Sequence, residues 1–152
     1  MILRKPNLCD AVSIYKLINL YSQTGKILAR PLSDIYESLR DFVVCEYDGE
    51  IRGCCALHIT WEFLAEIRSL VVTQDYQGRG IATSMVNYCL KEAIDLKVGK
   101  VFLLTEIPDF FKKLKFVIVD KSTLPHKIWR DCIQCVHFPD CNETALIKEI
   151  KV

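Results

Sequence analysis

The chain has 152 residues, a length that suits one domain with a sizeable core and is short for two ordinary domains. Hydrophobic residues make up 51% and charged residues 26% of the chain, a balance that excludes a disordered polypeptide. The formal net charge is +1, and no block of Lys or Arg stands out. These features do not favour a nucleic-acid partner.

The sequence gives no sign of a membrane partner or of secretion. Its apolar stretches, such as Phe102 to Leu104, are far shorter than a membrane span. The segment from Met1 to Pro6 lacks the order of a signal peptide. We therefore expect a cytoplasmic protein, in which the cysteines stay reduced. Thiols in apolar periodic segments behave as small hydrophobes, and this group is Cys9, Cys45, Cys54, Cys55 and Cys89.

In chain order, the first half of the sequence reads as strands and two helices. The patterns predict a strand over 1–5, a helix capped by Asn7 and Asp10, a loop over 24–31, a short helix capped by Ser33, strands over 42–47 and 50–60 joined by Asp48-Gly49, and a strand over 65–72. A polar, glycine-rich turn follows over 73–80.

The second half begins with a long amphipathic helix. Its apolar stripe is Ile81, Met85, Cys89, Ala93 and Leu96. The remaining patterns predict strands over 100–104 and 116–120, a short helix over 109–114 between them, and a last strand over 144–152. This order mixes hairpins with one strand–helix–strand crossover. It predicts an α+β or mixed α/β fold, with a mostly antiparallel sheet, one parallel crossover pair and flanking helices.

The segment from Leu70 to Ala82 carries the most chemical information. A buried strand enters a turn with two glycines, and the turn opens a long helix. Glycines allow close backbone approach to a ligand, and the first helical amides have no internal partners. With the helix dipole they form an anion site suited to a diphosphate. The P-loop pattern and the dinucleotide fingerprint both fit poorly.

The residues Gln77, Gly80 and Ala82 match Q/R-x-x-G-x-G/A, and Leu70 and Val72 match the L-x-V that precedes it. This segment resembles the cofactor turn of the GNAT N-acetyltransferases, and the element order over 1–120 is similar to the GNAT fold. The resemblance implies one GNAT domain over 1–152 with acetyl-CoA as co-substrate. By the same resemblance, Leu70, Val71 and Val72 would pair with the pantetheine arm. The pyrophosphate would then lie on Gln77, Gly78, Arg79, Gly80, Ile81, Ala82 and Thr83.

One position departs from the family pattern. Many GNAT enzymes have a tyrosine in F-Y-x-x-x-G-F that protonates the departing thiolate. Here the tyrosine position holds Phe111 and the glycine position holds Lys115. The general acid is therefore unidentified. The thiolate can leave without one, because a thiol such as the cysteine side chain has a reference pKa of about 8.5.

Other segments resemble the acetyltransferase domain of N-acetylglutamate synthase, in its short single-domain form. They are 65–72, 102–105, 124–127 and the arginine-bearing loop 27–33. The resemblance implies L-glutamate as acceptor, a role in arginine biosynthesis, no regulation through an amino-acid-kinase domain, and a possible homodimer.

Glutamate carries two carboxylates, and bidentate arginine suits each of them. Arg30, Arg68, Lys127 and Arg130 are the candidate carboxylate ligands. Glu66 lies on the same strand face as Arg68 and is the candidate general base, because an ammonium must lose a proton before attack. Alternatively, Glu66 and Arg68 form only an ion pair, and the other cations are ordinary solvated side chains. We expect His58, in a strand, to be a satisfied polar residue.

Three cysteines, Cys132, Cys135 and Cys141, cluster late in the sequence. With His126 or His137 they would supply four zinc ligands, yet a single C-x₂-C is weak evidence for a metal. A structural role is favoured over metal, and redox regulation is a third possibility.

Two rival functions stay open at this level. One is a GNAT enzyme acting on another small amine or on a protein amine, for which an acidic pocket would indicate a polyamine. The other is a non-catalytic acyl-CoA sensor, for which the missing tyrosine would be the sign. No Cys/His pair is placed for a covalent acetyl-enzyme, so direct transfer is expected.

Overall fold

The computed structural model describes residues 1–23, 27, 29–124 and 143–151. Its α-helices are α1 (Ala11–Ser22), α2 (Leu32–Glu37), α3 (Ile81–Asp95) and α4 (Pro108–Lys113). Its strands are β1 (Ile2–Arg4), β2 (Phe42–Tyr47), β3 (Glu50–Trp61), β4 (Leu64–Val72), β5 (Lys100–Thr105), β6 (Val117–Val119) and β7 (Thr144–Glu149). The predicted order of elements is confirmed over these ranges.

The strands form one sheet in the order β1-β2-β3-β4-β5-β7-β6. Within the described residues, β4 and β5 are the parallel pair and the other neighbours are antiparallel. Helix α3 is the crossover between β4 and β5, as parallel strands require. The predicted mixed α/β architecture with one parallel crossover pair is thus confirmed.

Helices cover both faces of the sheet. On one face, α3 and α4 pack their buried side chains, including Met85, Val86 and Phe111, against the sheet. On the other face, α1 and α2 pack Ile14, Ile18 and Ile35 against β2 to β4. These are called below the α3 face and the α1/α2 face. No helix within the described residues has both the length and the apolar character needed to cross a bilayer.

The helix ends differ in part from the predictions. Asn7 and Asp10 form the predicted capping box, and it caps a 3₁₀ turn, Leu8–Asp10, that leads into α1. Ser33 does not cap α2, because this helix begins one residue earlier, at Leu32. Its N-cap is Pro31, whose ring fixes φ near the observed −66° and whose ψ of 154° is extended.

Two predicted core positions are exposed instead. Leu96 lies just beyond the end of α3 and is 55% exposed, whereas the other four members of the apolar stripe are buried. Cys9 is exposed in the 3₁₀ turn before α1, while the other four described cysteines are buried. In both cases the side chain lies beyond the helix whose periodicity would have turned it inward.

Candidate functional site

Strands β4 and β5 separate partway along their length. Their ladder consists of three pairs, Leu64 with Lys100, Ala65 with Val101 and Glu66 with Phe102. Beyond Glu66, β4 runs on to Val72 and stays bonded to β3, while β5 runs on to Thr105 bonded to β7. In the described residues, the facing edges of the two strands therefore carry backbone groups without a ladder partner, and these can bond a ligand's amides.

A β-bulge in β4 lies beside this opening. Cys54 of β3 pairs with Val71 and Ala56 pairs with Arg68, so one residue of β3 faces two residues of β4. Ser69 takes the extra position with φ 57°, in the left-handed region. The bulge reverses the alternation of side chains. Before the bulge, the even-numbered residues Glu66 and Arg68 lie on the α1/α2 face. After it, the odd-numbered Val71 lies on that face.

The predicted phosphate turn follows β4. Gly78 and Gly80 have φ of 79° and 80°, a conformation that side-chain-bearing residues adopt at a cost. Gly80 is the N-cap of α3, and the first helical bond runs from the Ser84 N–H to its carbonyl at 3.0 Å. The amides of the residues between them, 81–83, therefore have no partner within the helix. This first turn, which lies wholly in the described residues, contains no acidic side chain, so the helix dipole favours an anion there.

The side chain of Gln77 closes the turn. Its Nε2 donates to the Val72 carbonyl at 3.0 Å and so ties the turn to the end of β4. The predicted role of Gln77 was in binding pyrophosphate; the geometry shows its amide group bonded to the protein backbone. This bond fixes the position of the turn relative to β4.

Arg79 lies over two tyrosine rings that the sequence analysis did not single out. Its guanidinium carbon is 4.6 Å from the centroid of Tyr76 and 5.4 Å from that of Tyr47. Arg52 approaches Tyr76 at 4.7 Å. The Tyr76 hydroxyl donates to Asp48 at 2.9 Å, and this bond raises the pKa of Tyr76. An aromatic residue just before the motif, Tyr76, was the sequence signal that could have indicated these ring contacts.

Two buried polar atoms lack a partner within the described residues, and both lie at this site. One is Nε of Arg68, just before the bulge, and the other is Oγ1 of Thr73, just after β4. An unsatisfied buried donor costs about 1–3 kcal/mol, so such atoms are rare in native proteins unless a ligand or water completes them. A ligand along β4 would meet one atom on each side of the bulge.

The structure brings three of the acceptor-side residues to one face. The Arg68 Nη1 atom is 3.7 Å from Glu66 Oε1, and the two side chains are 19% and 13% exposed. Arg30 is close enough to lower the pKa of the Cys54 thiol, although burial outweighs it and raises that pKa to about 12. The Arg30 carbonyl is held by Asn19 Nδ2 at 3.0 Å. Lys127 and Arg130 lie outside the described residues.

The tyrosine position of the family pattern lies in the core. Phe111 is 3% exposed and packs edge-on against Phe110 and Phe116, with centroid distances of 4.9 and 5.7 Å. It supplies no proton to a leaving group. Lys115, at the glycine position, has φ 73°, a left-handed conformation that glycine adopts without steric cost.

His58 is bonded to a residue that no sequence signal indicated. Its Nδ1 lies 2.6 Å from Oδ2 of Asp41, at the end of the 3₁₀ turn Leu39–Asp41. The prediction that His58 is a satisfied polar residue is therefore correct.

The proposed cysteine ligands Cys132, Cys135 and Cys141, and the histidines His126 and His137, lie outside the described residues. Among residues 1–23, 27, 29–124 and 143–151, no group of three His, Cys, Asp or Glu is placed to hold a metal ion.

Comparisons with known proteins identify the family and several relatives of the chain. Residues 13–116 match the model of the acetyltransferase (GNAT) family. The chain is 36% identical over 147 residues to an uncharacterized N-acetyltransferase, CT2212, of Chlorobaculum tepidum, covering 97% of this chain and 95% of that protein. It is 32% identical over 132 residues to an amino-acid acetyltransferase of Mycobacterium tuberculosis, covering 84% of this chain and 75% of that one.

Among solved structures, the N-acetylglutamate synthase of Neisseria gonorrhoeae, complexed with coenzyme A and N-acetyl-glutamate, superposes with a TM-score of 0.90. The identity is 22%, and the match covers 99% of this chain but 35% of the synthase, so it shows a shared fold. The family match, the fold and the cofactor turn lead to one conclusion: the chain belongs to the GNAT family and is an acetyl-CoA-dependent N-acetyltransferase.

Proposed function

We propose that the enzyme transfers the acetyl group of acetyl-CoA to the α-amine of an amino acid, namely L-glutamate, as a step of arginine biosynthesis. The relative from Mycobacterium tuberculosis, which bears the name amino-acid acetyltransferase, supports an amino-acid acceptor. We also place this chemistry in the cytoplasm, where the cysteines would stay reduced. One GNAT domain over 1–152 and a homodimer remain predictions.

The observation that carries the proposal is the unpartnered Nε of Arg68. One edge of this guanidinium points its Nη1 at Glu66, while the buried Nε has no acceptor in the described residues. A guanidinium binds a carboxylate through two parallel N–H bonds, and burial strengthens them. Arg30, on the same face, supplies a second cation. An acceptor with two carboxylates thus matches the charges that this face presents.

On the donor side, we assign the backbone of Leu70, Val71 and Val72 to the pantetheine arm, because β5 does not pair with this part of β4. The Val72 carbonyl already accepts from Gln77. The amides of residues 78–83 would hold the pyrophosphate, whereas the Gln77 N–H donates to the Gln74 carbonyl at 3.3 Å. The Thr73 hydroxyl, whose Oγ1 has no hydrogen-bond partner in the described residues, would form a hydrogen bond with the same ligand. All these groups precede or begin α3, so one strand and one helix end orient the whole donor.

The chemistry on this arrangement is a direct transfer. Glu66, as general base, takes a proton from the acceptor ammonium, directly or through water. The neutral amine attacks the thioester carbonyl, backbone N–H groups of β4 stabilise the oxyanion, and the thiolate leaves. Phe111 takes no part.

The acceptor can be identified by thiol release from acetyl-CoA with a panel of glutamate, glutamine, aspartate, a polyamine and a peptide amino terminus. We expect saturable release with glutamate. Arg68→Ala is expected to reduce kcat/KM for glutamate by about 100-fold, because a lost charged bond costs about 1.5–3 kcal/mol. Arg68→Lys should recover little, since Lys lacks the bidentate geometry.

The matched control is Lys91→Ala, which removes an exposed cation from the outer surface of α3 and should leave the kinetics unchanged. Arg30→Ala, Lys127→Ala and Arg130→Ala extend the test to the other candidate ligands. Turnover with a polyamine or a peptide but not with glutamate would contradict the proposal. So would an Arg68→Ala enzyme that retains wild-type kcat/KM for glutamate.

A further inference from the structure

The Asp41–His58 pair lies beside the proposed general base. His58 of β3 is the register partner of Glu66 of β4. Directly opposed residues of an antiparallel pair lie on the same face, with Cβ atoms about 4.5–5.5 Å apart. The imidazole, the Glu66 carboxylate and the Arg68 guanidinium therefore share the α1/α2 face.

Solvent exposure increases from Glu66 to Asp41 to His58. Glu66 is 13% exposed and Asp41 is 25% exposed, whereas His58 is 36% exposed. A proton held by Glu66 is thus largely shielded from water, and the neighbouring imidazole is the more solvated group. Because Nδ1 of His58 is bonded to Asp41 at 2.6 Å, the tautomer is fixed and Nε2 is the nitrogen available to exchange a proton.

The surroundings of Glu66 leave a proton on its carboxylate few ways out. The carboxylate lies 3.7 Å from Nη1 of Arg68 on a side chain that is 13% exposed. The acceptor ammonium must lose its proton before the amine attacks. A proton that stayed on Glu66 could return to the amine, so its transfer to another group commits the amine to the attack.

We propose that His58, oriented by Asp41, relays the acceptor proton from Glu66 to water. The ammonium gives its proton to the Glu66 carboxylate and becomes the neutral amine. The Glu66 carboxylic acid gives that proton to Nε2 of His58, the carboxylate is restored, and the imidazolium releases the proton to solvent. The Asp41 carboxylate stabilises the imidazolium meanwhile. This inference rests on the proposed function, and His58 acts through Glu66 as a positioning residue.

Chemical rescue tests the relay. Rapid mixing gives the single-turnover rate constant of acetyl transfer for wild type, His58→Ala and His58→Gln with the acceptor that the wild type uses. We expect His58→Ala to lower this rate constant on the order of 10-fold or more, with little change in KM. Added imidazole should restore it in proportion to concentration. A series of substituted imidazoles should restore it more strongly as their basicity rises.

The matched control is His58→Gln, which keeps a donor for Asp41 and a side chain of similar reach but has no group that accepts and releases a proton. It should be as slow as His58→Ala and insensitive to imidazole, while retaining the melting temperature of the wild type. Asp41→Asn should be slowed less than His58→Ala, because the imidazole remains.

Two outcomes would overturn the relay. One is a wild-type rate constant in His58→Ala; the other is recovery of the rate by His58→Gln without imidazole, which would mark His58 as a structural bond only. Both are distinct from failure of the proposed function, in which wild type itself acetylates no amino acid.

Discussion

Lys115 is the residue whose backbone conformation conflicts most plainly with its side chain. It follows α4 with φ 73°, and its N–H bonds the Lys112 carbonyl at 3.0 Å, as in a helix that ends in a left-handed residue. A side-chain-bearing residue pays for this conformation, whereas glycine does not.

We therefore predict that Lys115→Gly raises the free energy of unfolding by about 0.5–1 kcal/mol, measured by urea denaturation. Lys113→Gly is the control, since Lys113 is the last residue of α4 and glycine within a helix costs about 0.5–1 kcal/mol relative to Ala. Equal destabilisation by both changes would show that the conformation at 115 carries no strain.

At the scale of the element, the turn before α3 depends on its glycines. Gly80 has φ 80° and lies at the head of the helix, and a Cβ there would meet no atom within 4 Å. The cost of a side chain at this position is therefore backbone strain, which moves the free amides rather than causing a clash.

We predict that Gly80→Ala lowers stability by about 1 kcal/mol and weakens coenzyme A binding by about 10-fold or more. Gly49→Ala is a matched control, because Gly49 has φ 78° and equally open surroundings in the β2–β3 hairpin. It should show the same loss of stability with unchanged affinity, as measured by calorimetry. Equal loss of affinity in both variants would argue against a role of the turn amides in binding.

Strand β4 shows where sequence reasoning succeeds and where it stops. Its apolar pattern and the Gln77-to-Ala82 motif were sufficient to predict a strand, a turn and a helix in the correct order. The bulge was not predicted, because Ser69 is not a residue that signals a left-handed conformation. Asp41 was missed for a related reason: it is near His58 in space but 17 positions away in the chain.

At the scale of the molecule, the strand order was only partly predictable. The hairpin signal Asp48-Gly49 predicted β2 and β3 as neighbours, and the crossover helix predicted β4 and β5 as a parallel pair; the structure has both. Nothing local indicates that β7 inserts between β5 and β6, because that pairing joins strands distant in sequence. The separation of β4 from β5 is likewise a property of the assembled sheet, and it forms the opening at the site.

The reactivity of the buried thiols reports whether the packing on each face of the sheet is intact. Burial raises the pKa of Cys54 to about 12, and the bond with Cys89, together with burial, raises that of Cys55. A raised thiol pKa leaves less thiolate at a given pH, and the thiolate is the reactive form. Cys54 belongs to the α1/α2 face, and Cys55 and Cys89 belong to the α3 face.

We predict that iodoacetamide at about pH 8, below these raised values, labels Cys9 and spares Cys54, Cys55 and Cys89 in the folded protein. Peptide mass spectrometry reads the result residue by residue, and labelling in urea provides the control in which all four react. Labelling of Cys54 or Cys55 as fast as Cys9 would mean that a core opens without global unfolding.

The bulge at Ser69 has a consequence for how this enzyme can change over evolutionary time. The side chains assigned to the acceptor, Glu66 and Arg68, come before the bulge. The backbone assigned to acetyl-CoA comes after it and leads into the turn before α3. Under the assignment proposed above, a substitution at position 66 or 68 alters which amine is accepted and leaves the affinity for coenzyme A unchanged. New acceptor ranges are then reachable by single substitutions, without passing through variants that have lost the acetyl donor.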